Sequence, residues 1–439
     1  MSWIVALLFL ALAVRLFIFV DRYAVNLLYW DQWDFLGGVF DGADSWTLFR
    51  WQHGPQRQGL GNLIMAVVLW ATDWNARAIA FAAAGVASLT AVGAFWLVKR
   101  VCGTIRLWDA AVPLLFLTTA NFETYTGATN IAHGPLPALF LVAYALTFTV
   151  PSHTSRAALI VLVNFFAVNT GFTLLLGGIT PVVLLLLACQ PALGGRERAA
   201  YATALVLSLA TAALFVRGFV FLTAADCYTF PYARPWEYVS FTGRLLARPF
   251  NPAGRIGDGA WHWHDIVALA SALVFVYAGF RALRSRGASP LWNAASLVMG
   301  FALAFAIVTA VGRVCLGLNG ANSTRYIPYV LPGIFGVYLV LRCGLPAGRW
   351  RAVTLCVFLL LCVVKETSRQ PRSGASGDAI FKRAWRDCYL ATHDIATCDE
   401  RAGGPTYPDA EATRLRWKLD WLEARRFHPF RDSVSGRGR

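Results

Sequence analysis

Two carboxylates three residues apart, Asp31 and Asp34 in YWDQWDF, stand among aromatic rings directly behind the first long apolar run of the chain. That spacing puts both acids on one face if the segment is helical, and the rings of Trp30, Trp33 and Phe35 suit the headgroup level of a membrane. His53, Gln56 and Arg57 follow in WQHGPQRQG, Glu123 and Asn130 in NFETYTGATNIAHG, and Arg313, Arg325 and Tyr326 in GRVCLGLNGANSTRY. A carboxylate can take the proton of an attacking hydroxyl, and a guanidinium fork matches phosphate oxygens. Acids and bases converging at one interface make a site for a polar reactant whose tail stays in lipid. Taken singly, each has a plainer role: a solvated loop for the aspartates, a span cap for Glu123, a snorkelling cation for Arg325. Arg15 interrupts the first apolar run. A charge there faces a partner or a wet cavity, or snorkels to the surface.

The elements that must position these groups belong to a membrane. In 439 residues, 57% are hydrophobic and only 14% charged, more apolar surface than one soluble core hides. The opening segment SWIVALLFLALAVRLFIFV is long enough to cross about 30 Å of hydrocarbon and lacks a small-residue cleavage site. Similar runs follow near 76–98, 108–120, 136–150, 157–173, 174–189, 199–223, 266–281, 290–312, 326–341 and 352–364. The expectation is an all-α polytopic protein of about eleven transmembrane helices, with the shorter run at 61–71 lying at the surface.

Lys99, Arg100, Arg106, Arg156, Arg196, Arg198, Arg281, Arg284, Arg286, Arg342, Arg349 and Arg351 fall in every second loop. The positive-inside rule then puts the N-terminus in the cytoplasm and residues 21–75, 121–135, 224–265, 313–325 and the tail from 366 outside. The net charge of +15 is mainly topology. Dispersed arginines without a recognition motif exclude nucleic acid as a partner.

The chain divides into a membrane body, 1–365, and an outer tail, 366–439. The tail starts as a Ser-, Gly- and Arg-rich linker, followed by two amphipathic helices, GDAIFKRAWRDCYLAT and DAEATRLRWKLDWLEARRF. Most of the nine cysteines, such as Cys189, Cys356 and Cys362, lie in or beside apolar runs and read as small buried hydrophobes. Cys388 and Cys398 lie in the polar tail, where an oxidising compartment would let them pair; spacing alone leaves that open. His262, His264 and Asp265 in WHWHDI lack a fourth ligand, and no metal site is assigned to them.

The acidic pair behind the first span, HGPQRQG leading into a short helix, and WNARAIAFAAAGVASLTAVGAFWLVKR together resemble the GT-C superfamily of integral-membrane glycosyltransferases. The likeness is greatest to bacterial members with a WDxW motif, an HxxHR-like motif, a second-loop acid and a late SRY motif. It implies that Asp31 and Asp34 stand at the first-loop catalytic acid, that Glu123 is the second-loop acid, and that His53, Arg57, Arg325 and Tyr326 belong to the site. Gln56 departs from the second His of that pattern, and Thr124 from the usual Asn.

The implied reaction moves a sugar from a polyprenyl-phosphate donor to a glycan, lipid or protein acceptor on the outer face of the membrane, with inversion. Asp31 or Asp34 would be the base, Glu123 an orienter of sugar or acceptor, and Arg57 with Arg325 the phosphate partners. Arg15, His53, Gln56, Asn130, Arg313 and Tyr326 complete the expected substrate-binding set. The likeness leaves open a divalent cation, Mg2+ or Mn2+, at Asp31 and Asp34. A bacterial inner membrane, with the C-terminus periplasmic, is the expected location. Competing classes are a transporter or lipid-linked-sugar flippase, and a non-catalytic scaffold.

Overall fold

The computed structural model describes residues 2–221, 227–250, 263–285 and 287–433. Among them the fold is helical apart from one small hairpin, in which Gln52–His53 pairs with Gln56–Arg57. Among the described residues seven helices are long and apolar enough to cross a membrane: Trp3–Tyr23, Ala76–Cys102, Gly171–Ala188, Gly195–Val216, Asp265–Arg284, Pro290–Leu316 and Thr324–Gly344. Shorter apolar helices cover Leu107–Phe116, Pro135–Thr147 and His153–Val168. The helix Arg349–Glu366 accounts for the last apolar run. The surface segment expected at 61–71 is a helix, Gly59–Ala71.

The packing follows from side-chain size. Ala76–Cys102 buries Ala80, Ala83, Ala84, Ala87, Ala91 and Ala94, and such small residues let neighbouring helices approach closely where lipid supplies no hydrophobic drive. Outward faces are greasy. Leu7, Leu10, Val14 and Ile18 are exposed on the first helix, as are Ile266, Leu269, Leu273 and Val276 on Trp263–Arg284, an arrangement a water-soluble chain would not tolerate over several turns.

The tail differs from expectation. Its first helix, Gln370–Thr392, begins inside the supposed linker and leaves only 367–369 between it and the last apolar helix. Small residues there serve contact: a Cβ on Gly374 would collide with the ring of Phe122. The second expected helix is shorter, Leu415–Ala424, and an unforeseen one, Ile395–Ala402, lies between. The tail is docked by Lys418, whose ammonium donates to the Trp33 carbonyl and to Thr413 Oγ1. Trp421 packs on Trp74 and Phe40, with ring centroids 4.9 and 5.3 Å apart.

The cysteines also depart from expectation, since six of the nine are paired. Cys388 and Cys398 join, closing a tail loop. Cys227–Cys315 and Cys102–Cys343 link positions 88 and 241 residues apart, distances at which spacing carries no information. Cys189, Cys356 and Cys362 are free, and only Cys362 is buried. His262 and the side chain of His264 lie outside the described residues, while Asp265 accepts a hydrogen bond from Ser240 Oγ at 2.5 Å.

Candidate functional site

Three polar segments, far apart in sequence, meet at one end of the helical bundle. Gln32 Nε2 donates to the Thr129 carbonyl at 3.0 Å, and Asn130 Nδ2 to Gln58 Oε1 at 2.9 Å, joining the first segment to the second. The second is joined to the third through Glu123. Its carboxylate accepts Ser323 Oγ at 2.9 Å and the amides of Thr324 and Arg325 at 3.4 and 3.3 Å. Where these segments meet they enclose a cavity of about 610 Å³.

Eight of the eleven expected site residues line that cavity: Asp31, His53, Gln56, Glu123, Asn130, Arg313, Arg325 and Tyr326. His53 is placed by the hairpin, whose two-residue turn begins with Gly54 at φ +56°, a conformation glycine adopts without a Cβ penalty. The imidazole stands between the two aspartates: Nδ1 bonds the Asp34 carboxylate, and Nε2 lies 3.7 Å from Asp31 Oδ2. Burial alone would lower the imidazole's pKa, but the two carboxylates raise it to about 9, so it is a cation at neutral pH. Burial would likewise raise Asp31; hydrogen bonding to His53, with the charges of His53 and Arg325, leaves it below its ordinary value. Asp31 faces the cavity as an ionised carboxylate oriented by an imidazolium, with Asp34 behind the ring.

Between the two aspartates expected to share a divalent cation stands the His53 ring. Each ring nitrogen addresses one carboxylate, Nδ1 that of Asp34 and Nε2 that of Asp31. Among the described residues no cluster of three or more ligating side chains is arranged to hold a metal ion.

Three expected residues lie elsewhere. Asp34 backs His53 without lining the cavity. Arg57 is buried, its guanidinium donating to the carbonyls of Phe215, Arg50 and Arg217. It ties the hairpin to the end of helix Gly195–Val216 and has no fork left for phosphate. Arg15 pairs with Glu366 at 2.5 Å and donates to the Leu117 carbonyl at 3.2 Å. The charge in the first span therefore has a structural partner.

The cavity also holds residues that sequence reasoning passed over. His133 bonds the Tyr329 hydroxyl through Nδ1 at 2.7 Å. Burial, aided by the charges of Arg325 and His53, pushes its pKa down to about 3, so it is a neutral ring in the wall. It lies within NFETYTGATNIAHG, but a single imidazole beside an apolar run carries no signal of its own. Gly374 and Asp378 reach the cavity from the tail helix; in sequence the first falls in the expected linker and the second reads only as part of an amphipathic face.

Arg325, also in the cavity wall, has its Nε buried without a hydrogen-bond partner, and its guanidinium lies 5.6 Å from the Tyr326 ring centroid. A half-buried guanidinium with an unpaired Nε at the cavity wall is complementary to an anion. The site thus combines an ionised carboxylate and two arginines around a cavity at one end of the helical bundle. No protein-family model matches the chain, and no curated protein matches it either.

Proposed function

We propose that this chain is a membrane glycosyltransferase that moves a sugar from a polyprenyl-phosphate donor to a glycan, lipid or protein acceptor. The observation that carries the reading is the convergence of Asp31, Arg313 and Arg325 on one cavity. In the proposed step an acceptor hydroxyl attacks the anomeric carbon, and Asp31 takes its proton as the new C–O bond forms. The bond from the anomeric carbon to the phosphate oxygen breaks, and its electron pair leaves with the phosphate. That oxygen joins a monoester whose charge Arg313 and Arg325 stabilise. One displacement inverts the anomeric centre.

The other acids act through these groups. Asp34 holds His53, and His53 orients Asp31. Glu123 accepts the Arg325 amide and so fixes the turn that carries this arginine; the sequence alone would have put it on the sugar. Arg57 has no role with phosphate in this scheme, since its guanidinium is committed to carbonyls.

The proposal includes eleven membrane crossings in a bacterial inner membrane, with the N-terminus cytoplasmic and the cavity on the periplasmic face. The shorter helices then cross together with their flanking turns. In this orientation Cys388–Cys398 and Cys227–Cys315 face the oxidising side. Cys102 and Cys343, joined in the structure, face the cytoplasm, where a reducing environment would open that pair.

The test is transfer from labelled carrier lipid in membranes containing wild type, Asp31→Asn, Asp34→Asn or Arg325→Ala. The expected result is loss in all three; full transfer by all three would overturn the assignment.

A further inference from the structure

The C-terminal helix Gln370–Thr392 is built into the cavity wall. Gly374 seats it against Phe122 with no room for a side chain. Lys382, buried, donates to the carbonyls of Thr126 and Gly127 at 2.5 and 2.7 Å, and its ammonium lies 5.0 Å from the Tyr29 ring centroid. Asp378, one turn before Lys382, is half-buried and lines the cavity beside Glu123 and Tyr29.

We infer that Asp378 is a substrate-contacting residue that accepts hydrogen bonds from sugar hydroxyls in the cavity, which makes the tail a specificity wall of the site. The inference rests on the transferase reading. Three features of the geometry lead to it. The cation nearest along the helix, Lys382, is committed to backbone carbonyls. Glu123, from the second segment, adds only like charge, and Tyr29, from the first, adds an aromatic face. A half-buried carboxylate so placed has acceptor capacity directed at the cavity, and neutral hydroxyl donors would satisfy it without importing charge.

The titration of Asp378 agrees with this placement. Burial raises its carboxyl to about 6 despite the field of Lys382, and the charge of Glu123 adds to the rise. The ionised acceptor therefore dominates above that pH and is lost as pH falls through it. Sugar hydroxyls could come from the donor lipid or from a glycan acceptor, and the experiment separates the two.

Full-length protein in lipid nanodiscs is titrated with polyprenyl phosphate and with the same lipid bearing a hexose or pentose. Methyl hexosides and pentosides serve as acceptor probes. Asp378→Asn is expected to weaken the sugar-bearing lipid roughly ten- to hundredfold, the value of one or two charge-assisted hydrogen bonds, while bare polyprenyl phosphate binds as before. Asp378→Glu should restore part of the loss, and the wild-type advantage of the sugar-bearing lipid should vanish below about pH 6. An unchanged unfolding midpoint shows that the Asn variant is folded.

If only the methyl glycosides weaken, the inference holds with the acceptor as the source of the hydroxyls. Unchanged binding of all probes by Asp378→Asn, with both lipids weakened by Arg325→Ala, overturns the inference and leaves the transferase reading intact. Failure of wild type to bind either lipid overturns both.

Discussion

The two ends of the bundle use the same residue types for different ends. At the end away from the cavity, Asp109 is fully buried, accepts the Tyr338 hydroxyl and lies 3.3 Å from Arg342 Nε; Arg342 Nη2 also reaches the Thr104 carbonyl at 3.2 Å. Acid, phenol and guanidinium satisfy one another in a closed knot that ties 103–110 to the end of the helix Ile327–Leu339. At the cavity end, Asp31, His53, Glu123 and Arg325 are also held by neighbours, yet each borders a space of about 610 Å³. Charge in an apolar fold is therefore no guide to chemistry by itself. What separates anchor from site is whether the groups leave room, and unmet capacity, for a ligand.

The contrast can be broken by substitution. The largest expected effect is at the open end: Asp31→Asn should lower transfer by about 10²–10⁴-fold, the range for a lost general base, while costing only about 1 kcal/mol of stability, because Asp34 still holds His53. Initial rates of polyprenyl phosphate release measure the first quantity and denaturant unfolding in detergent the second. A destabilised Asn variant with normal turnover would erase the distinction.

At the closed end the effects should exchange places. Arg342→Ala leaves Asp109 and its partners uncompensated, and should cost about 3–5 kcal/mol of stability. The surviving folded fraction should retain normal KM and turnover. Equilibrium unfolding together with activity per folded molecule checks both halves.

A pH series sharpens the same comparison. Because the folded-state pKa of His53 is raised to about 9 from 6.5, its contribution to stability is fully present below pH 6.5 and is lost as pH rises through about 9. The loss should be on the order of 2 kcal/mol, allowing for solvent screening at the partly exposed aspartates. In His53→Gln this dependence should be absent. Unfolding midpoints between pH 6 and 10 provide the measurement.

The smallest effect belongs to the tail's surface. Arg414 pairs with Asp41 at 2.7 Å, but both side chains are well exposed, so Arg414→Ala should cost less than about 1 kcal/mol. Loss of tail docking, read by protease accessibility of the connection near 367–369, would mean that this pair does more than an exposed pair normally does.

Much of the architecture was legible because it follows from one-dimensional quantities. Apolar run length marked the long helices of the membrane body, though not Trp236–Ala247 in the stretch expected to be an outer loop, and the aromatic belt with its two aspartates marked the segment that ends on the cavity. The linker assignment failed because Ser and Gly favour turns in isolation, whereas here the small residues of 373–375 let a helix dock on Phe122. Arg57, whose guanidinium donates to carbonyls, shows a similar limit. A guanidinium is equally suited to phosphate and to carbonyl oxygens, and only its neighbours decide between them.

The sequence by itself determined that this chain is an α-helical membrane protein and that its acids and bases collect in a few polar segments, since hydrophobicity and spacing act along the chain. Tertiary structure alone decided that His53 stands between Asp31 and Asp34, that Glu123 holds the turn of Arg325, and that the tail brings Asp378 to the cavity. Those relations join positions 19, 202 and hundreds of residues apart. They depend on orientation and burial in three dimensions, which no local pattern encodes.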